Sequence, residues 1–250
     1  MPRQARIQSK TGIYHVMLRG INQQQIFYEE SDYEKLKQII KESKEPNRFR
    51  IFAYCFMGNH IHLLIKEEEE TIGQAIKRIG LHFVYWYNIK YQRVGHLFQD
   101  RFKSEPVESN EYFLTVLRYI HQNPVKANLC KSIKEYKYSS YREYIEEADI
   151  VDTDFVYAII EKTQFESFNE AENECNCLDV DTEIRVRLTD EQAQKLIVKY
   201  SRCDSVVDFQ NIEETKKKKC IVKLYAKGMS IRQISRLTGT TKKIVEKYLK

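Results

Sequence analysis

The chain has 250 residues, of which 42% are hydrophobic and 31% are charged, a composition typical of a globular protein with one large or two small domains. No stretch approaches the roughly 20 apolar residues that span a bilayer, and the polar start of the chain lacks the apolar core of a secretory signal, which favours a cytoplasmic protein. The six cysteines form no Cys-x-x-Cys pair, which argues against a zinc ribbon or finger.

The net charge of +5 is distributed unevenly along the chain. Residues 1–150 carry +4, residues 151–183 carry −9 and residues 184–250 carry +10. A basic C-terminal part behind an acidic segment predicts two functional parts, the second with a polyanionic partner such as a nucleic acid. A solvated lysine-rich surface is the alternative, and the run from Lys216 to Lys219 fits either interpretation.

The first 145 residues predict an alternation of strands and helices. A Ser31-x-x-Glu34 capping box is expected to open the first helix, and Gly58-Asn59 is a tight-turn signal between two aromatic and β-branched segments. The predicted strands cover 12–20, 49–57, 60–66 and 101–107, and the predicted helices cover 32–44, 71–91 and 110–123.

The end of the last of these helices and the fold class follow from the same pattern. The helix is expected to begin at Ser109 or Asn110 and to end near Asn123, since Pro124 disfavours helical geometry in the preceding residue. The order of elements predicts an α+β fold, a ferredoxin-like split βαβ antiparallel sheet with helices on one face. We therefore expect a first domain over residues 1–145 and an acidic linker or helical spacer over residues 146–188.

The C-terminal segment 189–250 predicts an all-α helix-turn-helix. A helix from Lys216 to Lys227 is followed by a Ser230-x-x-Gln233 cap, a turn at Gly239 and a final helix. This arrangement is typical of a DNA-reading module, and a protein-binding three-helix module is the alternative. The residues expected to contact DNA here are Arg232, Thr240, Thr241, Lys242 and Lys243.

Two histidines stand on the predicted strand 60–66. Because side chains alternate along a strand, His60 and His62 project from one face, about 6–7 Å apart at their roots, and both imidazoles can converge on one metal ion. Ile61 and Leu63 are expected to point into the core. Taken alone, a His-x-His pattern more commonly reflects two half-exposed histidines on an antiparallel sheet.

Tyr119 and Asn123 are four residues apart, so they lie on one helix face a single turn apart. Asn123 offers a carbonyl oxygen, an acceptable ligand for Mg²⁺ or Mn²⁺. The Tyr119 phenol has an ordinary pKa near 10 and is a poor nucleophile unless a metal polarises the group under attack. His121 is expected to be structural or to support the site, and His15 to border the site or simply to lie on the sheet.

Four motifs follow one another over about residues 12–145. They are Tyr14-His15-Val16 with Arg19-Gly20, Phe56-Met57-x-Asn59-His60-x-His62-Leu63-Leu64, Phe98-Gln99-x-Arg101-Phe102-Lys103, and Tyr119-Ile120-x-x-Asn123-Pro124-Val125-x-Ala127. Each is weak evidence alone. The ordered set resembles the HUH (histidine–hydrophobe–histidine) single-tyrosine transposases and, within them, the IS200-like group called REP-associated tyrosine transposases.

The resemblance implies a metal-dependent endonuclease and strand transferase that acts on single-stranded DNA with hairpin elements. His60 and His62 would hold Mg²⁺ or Mn²⁺, with Asn123 as a third ligand. Tyr119 would attack a phosphodiester, form a 5′-phosphotyrosine bond and free a 3′-OH that can later rejoin strands. The DNA contacts expected in this domain are Arg19, Arg101 and Lys103.

Two alternatives to this function stay open. One is a non-catalytic DNA-binding regulator that uses the C-terminal helix-turn-helix, and the other is a hydrolase of another substrate with water as nucleophile. The intact histidine pair, tyrosine and asparagine favour the transposase, a bacterial-type, nucleoid-associated protein that acts as a monomer or homodimer with no membrane partner. Tyr85, Trp86 and Tyr87 could stack unpaired bases, although Trp86 is also a natural core residue.

Overall fold

The structure is a computed structural model that divides into two compact units, Met1–Val180 and Asp181–Lys250, each with an apolar core of its own. Among the residues that it describes, no helix is long and apolar enough to cross a membrane. The described residues are 6–45, 47–172, 177–179, 190–203, 205–227 and 229–249.

The first unit is a four-stranded sheet with helices. Its elements in chain order are β1 (Ile13–Arg19), α1 (Glu30–Lys44), β2 (Phe49–Met57), β3 (His60–Glu67), α2 (Ile72–Lys90), β4 (Lys103–Pro106), α3 (Asn110–Lys126), α4 (Tyr141–Ile145), α5 (Thr153–Tyr157) and α6 (Phe165–Glu170). The strand order is β2-β3-β1-β4 and every neighbouring pair is antiparallel. This is the sheet that the split βαβ order predicts.

Helices cover both faces of the sheet, so the prediction of helices on one face is wrong. Ile61 and Leu63 of β3 face the layer of α1 and α2, because they line one small cavity together with Leu36 of α1 and Ile76 of α2. His62 points to the opposite face, and its ring lies 5.8 Å from the ring of Tyr119 on α3. The two βαβ crossovers place α1 and α2 on one side, whereas α3 follows the last strand and closes the other side.

Helix α1 begins earlier than the capping-box pattern predicts. Its N-cap is Glu29, and Asp32 accepts the backbone N–H groups of Tyr28 and Glu29 at 2.7 and 3.0 Å. The predicted Ser31-x-x-Glu34 box is therefore wrong. The Asp32 carboxylate is buried and also accepts the Lys90 ammonium at 2.6 Å, and this partner is distant in sequence.

Helix α3 continues past its predicted end, through Pro124 to Lys126. Asn123 stays within the helix, and its carbonyl oxygen accepts the backbone N–H of Ala127 at 2.9 Å. Proline in a helix costs about 3 kcal/mol because it lacks an N–H and crowds the preceding turn. Here it stands in the last turn and is buried, so the packing of this turn against the rest of the unit offsets that cost.

Residues 150–170 belong to the first unit, so the predicted spacer over 146–188 is wrong for this segment, and the first unit does not end at residue 145. Phe165 is buried in the same core as the sheet, and Val151 pairs with Ile51 at the edge of β2. A few apolar residues within an acidic segment are sufficient to anchor it, while the charged side chains between them stay outside.

The described residues of the second unit form helices and connecting turns. Its elements are α7 (Asp190–Ser201), α8 (Val206–Asn211), α9 (Glu214–Ala226), α10 (Ile231–Thr238) and α11 (Lys242–Leu249). As predicted, the Ser230 hydroxyl caps α10 by accepting the Gln233 N–H at 3.1 Å. Gly239 ends α10 with φ +68°, and a Cβ at this position would lie 2.3 Å from Gln210 Nε2. The interpretation of α10 and α11 as a DNA-reading helix-turn-helix stays a prediction.

Candidate active site

Helix α3 lies over the sheet face that carries the two histidines. The register of β1 and β3 places Met17 opposite His62 and Arg19 opposite His60, so these four side chains share one face. Strand β4 adds Lys103, opposite Met17. Residues from β1, β3, β4 and α3 thus meet on one side of the sheet, away from α1 and α2.

His60 is held in one tautomer by Asn59. The Asn59 side-chain N–H donates to the Gln23 carbonyl oxygen at 3.4 Å, so its Oδ1 faces His60 and accepts from Nδ1–H at 2.7 Å. The lone pair of His60 then lies on Nε2. That atom is buried and has no hydrogen-bond partner in the part of the chain that the structure describes. Buried polar atoms are nearly always paired, and an orphaned lone pair fits a metal ligand.

His62 lies between His15 and Asn123. Its Nδ1 is 3.0 Å from His15 Nε2, and its Nε2 is 3.4 Å from Asn123 Nδ2. The rings of His60 and His62 are 5.0 Å apart between centroids and are inclined by 85°. The two imidazoles that the strand alternation predicts on one face are therefore neighbours, and the Asn123 amide lies beside them.

Burial keeps all three histidines of this face neutral at pH 7. It lowers the pKa of His15 to about 3 and that of His60 to about 4, the latter against the opposing influence of the Asp179 charge. Burial also lowers the pKa of His62 well below its ordinary value, helped by repulsion from the other two imidazoles. Neutral imidazoles can bind a metal without first losing a proton.

Tyr119 stands directly beside the histidines. Its ring lies 5.8 Å from the rings of both His15 and His62, and the residue is only 4% exposed. Burial, together with the carboxylate of Asp179, raises the pKa of Tyr119 above its ordinary value. The side chain is thus a neutral phenol at pH 7. The Lys126 ammonium lies 5.0 Å from the centre of its ring.

One acidic residue outside the predicted site reaches the same place. Ligand atoms of His60, His62 and Asp179 all lie within 4.8 Å of one another. Residue 179 falls in the predicted acidic spacer, and the sequence predicts no contact between it and the histidines. No local motif marks Asp179, because the approach is made by a segment more than 100 residues away from the histidines in the chain.

Two of the predicted DNA contacts, Arg19 and Arg101, line one cavity of about 490 Å³ beside α2. Arg6 lines it as well, with its guanidinium 3.7 Å from the centre of the Phe102 ring. Lys103 is exposed on β4. The structure therefore gathers basic side chains along the edge of the unit where β1 ends and β4 begins.

The aromatic run on α2 is divided between surface and core. Tyr85 is 72% exposed, Trp86 packs partly against the core and Tyr87 is fully buried. The idea that all three stack bases is therefore wrong for Tyr87, since α2 turns only one side of this run outward.

His121 has a structural role, which is one of the two roles predicted for it. It is fully buried, with Nδ1 2.8 Å from Asn169 Oδ1 and Nε2 2.9 Å from Ser140 Oγ. Helix α3 thus presents Tyr119 and Asn123 to the sheet histidines and fastens α6 and the segment before α4 through His121.

In the second unit, the structure buries Thr240, one of the residues expected to contact DNA, and that contact stays a prediction. The residue is buried, and its hydroxyl accepts from the Thr238 hydroxyl at 3.1 Å, because the left-handed turn at Gly239 directs it inward. The other predicted contacts are exposed or half-buried at the surface, namely Arg232, Thr241, Lys242 and Lys243.

Comparison with known proteins agrees with this geometry. Residues 8–123 match the family described as Transposase IS200 like. A REP-associated tyrosine transposase of Haemophilus influenzae is 27% identical over 124 residues, which are 44% of this chain and 70% of that protein. A solved structure of a REP-associated tyrosine transposase bound to a REP hairpin shares the fold, with a TM-score of 0.52, 18% identity and coverage of 61% of this chain and 94% of that one.

Proposed function

Because residues 8–123 match the IS200-like transposase family, whose members process DNA, we propose that the protein is a metal-dependent single-stranded DNA endonuclease and strand transferase. One observation carries the proposal. Helix α3 holds Tyr119 5.8 Å from the His62 ring, next to a buried His60 nitrogen that has no hydrogen-bond partner among the described residues. A nucleophile and a metal-ligand pair on facing elements fit phosphodiester chemistry.

The ligand set suits a divalent cation. His60 and His62 would hold it through ring nitrogens, and Asn123 would add its amide oxygen after a half-turn of the amide, which exchanges two atoms of similar size. Mg²⁺ or Mn²⁺ bound there supplies a positive charge that polarises the scissile phosphate and stabilises the charge developing on it.

Tyr119 would act as the nucleophile in two balanced steps. Its hydroxyl oxygen forms a bond to phosphorus and gives up its proton, while the bond from phosphorus to the 3′ oxygen breaks and that oxygen leaves as a 3′-OH. A 3′-OH can later attack the 5′-phosphotyrosine and release Tyr119 with its proton restored. One ester replaces another each time, so no external energy source is needed. Burial raises the pKa of Tyr119, so its phenolate is scarce at pH 7. A nearby positive charge would therefore assist most when the hydroxyl loses its proton.

The substrate is proposed from charge and from the relatives. A solved relative is bound to a REP hairpin, and we propose that this protein also acts on a single strand that contains a hairpin. Arg19, Arg101 and Lys103 would contact its backbone near the site. In the second unit, the surface residues Arg232, Thr241, Lys242 and Lys243 would contact a duplex.

The test is a covalent adduct assay on 5′- and 3′-labelled hairpin oligonucleotides with Mg²⁺ or Mn²⁺, resolved on a denaturing gel. The unaltered protein should give a denaturation-resistant band that carries the DNA 3′ of the cut. Tyr119→Phe should lower its yield by about 10³-fold or more. Tyr112→Phe, a half-buried tyrosine on the same helix, is the matched control and should retain the band.

The two alternative functions, a hydrolase that uses water and a non-catalytic regulator, predict different bands on this gel. Cleavage that persists in Tyr119→Phe would indicate a hydrolase with water as nucleophile. Tight binding of every substrate without cleavage would indicate a non-catalytic regulator that relies on the second unit.

A further inference from the structure

The acidic segment contributes a carboxylate to the proposed metal site. Asp179 is exposed, and one of its oxygens lies within 4.8 Å of the ligand nitrogens of His60 and His62. The residue is outside the segment 8–123 that matches the transposase family. Its role is therefore a question about this chain's own structure.

Two contacts hold the residues that precede Asp179. The Leu178 backbone N–H donates to Glu105 Oε2 on β4 at 3.1 Å. Glu105 lies opposite His15 in the β1–β4 register, hence on the histidine face of the sheet. Cys177 is 7% exposed and packs in the core of the first unit. The segment 177–179 is thus fastened beside the site rather than merely near it.

Two of the groups that meet there, the ring nitrogen Nε2 of His60 and the carboxylate of Asp179, are acceptors. Asn59 takes the ring hydrogen of His60 at Nδ1, so His60 offers a bare lone pair at Nε2. A carboxylate that approaches such a lone pair is repelled by it unless a cation lies between them. Buried lone pairs facing a carboxylate are the arrangement that a metal ion stabilises.

We propose that Asp179 is a ligand of the divalent ion held by His60 and His62, an inference that rests on the proposed metal-dependent function. Two imidazoles and one carboxylate would leave room in the coordination of the ion for the Asn123 amide and for phosphate oxygens. Neighbouring ligand atoms around such an ion are about 3 Å apart. The exposed Asp179 side chain can rotate to close the remaining distance.

The carboxylate also brings a negative charge that the amide of Asn123 lacks. Its removal should weaken metal binding before any DNA is present. Manganese is the suitable probe, since carboxylate oxygens suit it and its paramagnetism reports the free and bound ion directly.

The experiment is a Mn²⁺ titration of the full-length protein, with free Mn²⁺ followed by electron paramagnetic resonance. Asp179→Asn keeps the shape of the side chain and should raise the Kd by about tenfold or more. Glu172→Gln, an exposed carboxylate of the same acidic segment, is the matched control and should leave the Kd unchanged. Asp179→Glu should recover most of the affinity. Equal thermal unfolding of the metal-free variants excludes a folding defect.

The outcomes separate the inference from the proposed function. If Asp179→Asn binds Mn²⁺ as tightly as the unaltered protein, the inference is overturned and the function through Tyr119 stands. If the unaltered protein binds no Mn²⁺, both the metal dependence and the inference are overturned. The phosphotyrosine adduct is read independently on the gel.

Discussion

At the scale of single residues, the site depends on a contact between His60 and the residue that precedes it in the sequence, Asn59. Asn59 follows Gly58 in the hairpin turn, where a Cβ on Gly58 would lie 2.5 Å from the Gln25 side-chain oxygen. The turn places Asn59 Oδ1 against Nδ1 of His60. A neighbour that accepts the single ring N–H of a metal-binding histidine fixes its tautomer and its orientation.

We expect Asn59→Ala to weaken metal binding by about 10- to 100-fold, because His60 loses the partner that keeps its hydrogen away from Nε2. The measurement is the Kd for Mn²⁺ from isothermal titration calorimetry. Asn110→Ala, at an exposed asparagine that opens α3, should bind as the unaltered protein does. An unchanged Kd in Asn59→Ala would show that the tautomer of His60 is set by other means.

At the scale of elements, one carboxylate fastens three parts of the first unit. Glu143 on α4 is buried and accepts the Tyr54 hydroxyl of β2 at 2.7 Å and the Lys37 ammonium of α1 at 3.0 Å. Its other oxygen accepts the backbone N–H groups of Asp149, Ile150 and Val151. A short helix thus fixes the segment that leads into α5 and α6.

Glu143→Gln should lower the free energy of unfolding at pH 7 by about 2–3 kcal/mol, since a buried charge-assisted network loses its charge and one acceptor. Urea unfolding followed by circular dichroism gives the value. Glu147→Gln, at an exposed glutamate four residues along, should change it by less than about 0.5 kcal/mol. A change at position 143 as small as that of the control would contradict the fastening role.

The same carboxylate predicts a pH dependence. Burial raises the pKa of Glu143, but the hydrogen bonds from Tyr54, Ile150 and Asp149 and the charge of Lys37 outweigh it, so the pKa lies below its ordinary value. A depressed folded pKa means stability that is fully present above the unfolded pKa of about 4.3 and is lost as pH falls through the folded pKa. The difference in stability between the unaltered protein and Glu143→Gln should shrink below about pH 4. A difference that is constant from pH 7 to pH 3 would contradict this.

At the scale of the whole molecule, the net charge differs sharply between segments of the chain. Residues 151–183 carry −9 and residues 184–250 carry +10. The second unit has an apolar core of its own. A positive helix start next to an exposed turn is suited to phosphate contacts that release counterions.

The double variant Lys242→Ala/Lys243→Ala should weaken binding to hairpin DNA and reduce the slope of log K against log salt by roughly 0.9 for each phosphate that the protein no longer neutralises. Fluorescence anisotropy over a range of KCl concentrations measures both the affinity and the slope. Lys218→Ala/Lys219→Ala removes the same charge from exposed positions on α9. Equal effects of the two double variants would indicate a general basic surface and would contradict a specific role for α11.

Much of the fold is local and was therefore predictable. The bounds of β2 agree with its run of aromatic and β-branched residues, and Thr71 and Ser109 cap α2 and α3 as their patterns indicate. The apolar run of β2 from residue 51 to residue 57 also signals a strand buried on both faces, which could have shown that a second helical layer was needed.

The repeat of each strand and helix, which is legible in the sequence, settles which side chains share a face. A strand repeat of two places His60 and His62 on one face, and a helical turn places Tyr119 beside Asn123. Packing between distant segments settles which face of the sheet α3 covers and brings Asp179 to the histidines. Those outcomes depend on contacts between residues far apart in the chain, whose energies arise from burial and partners that no local pattern contains.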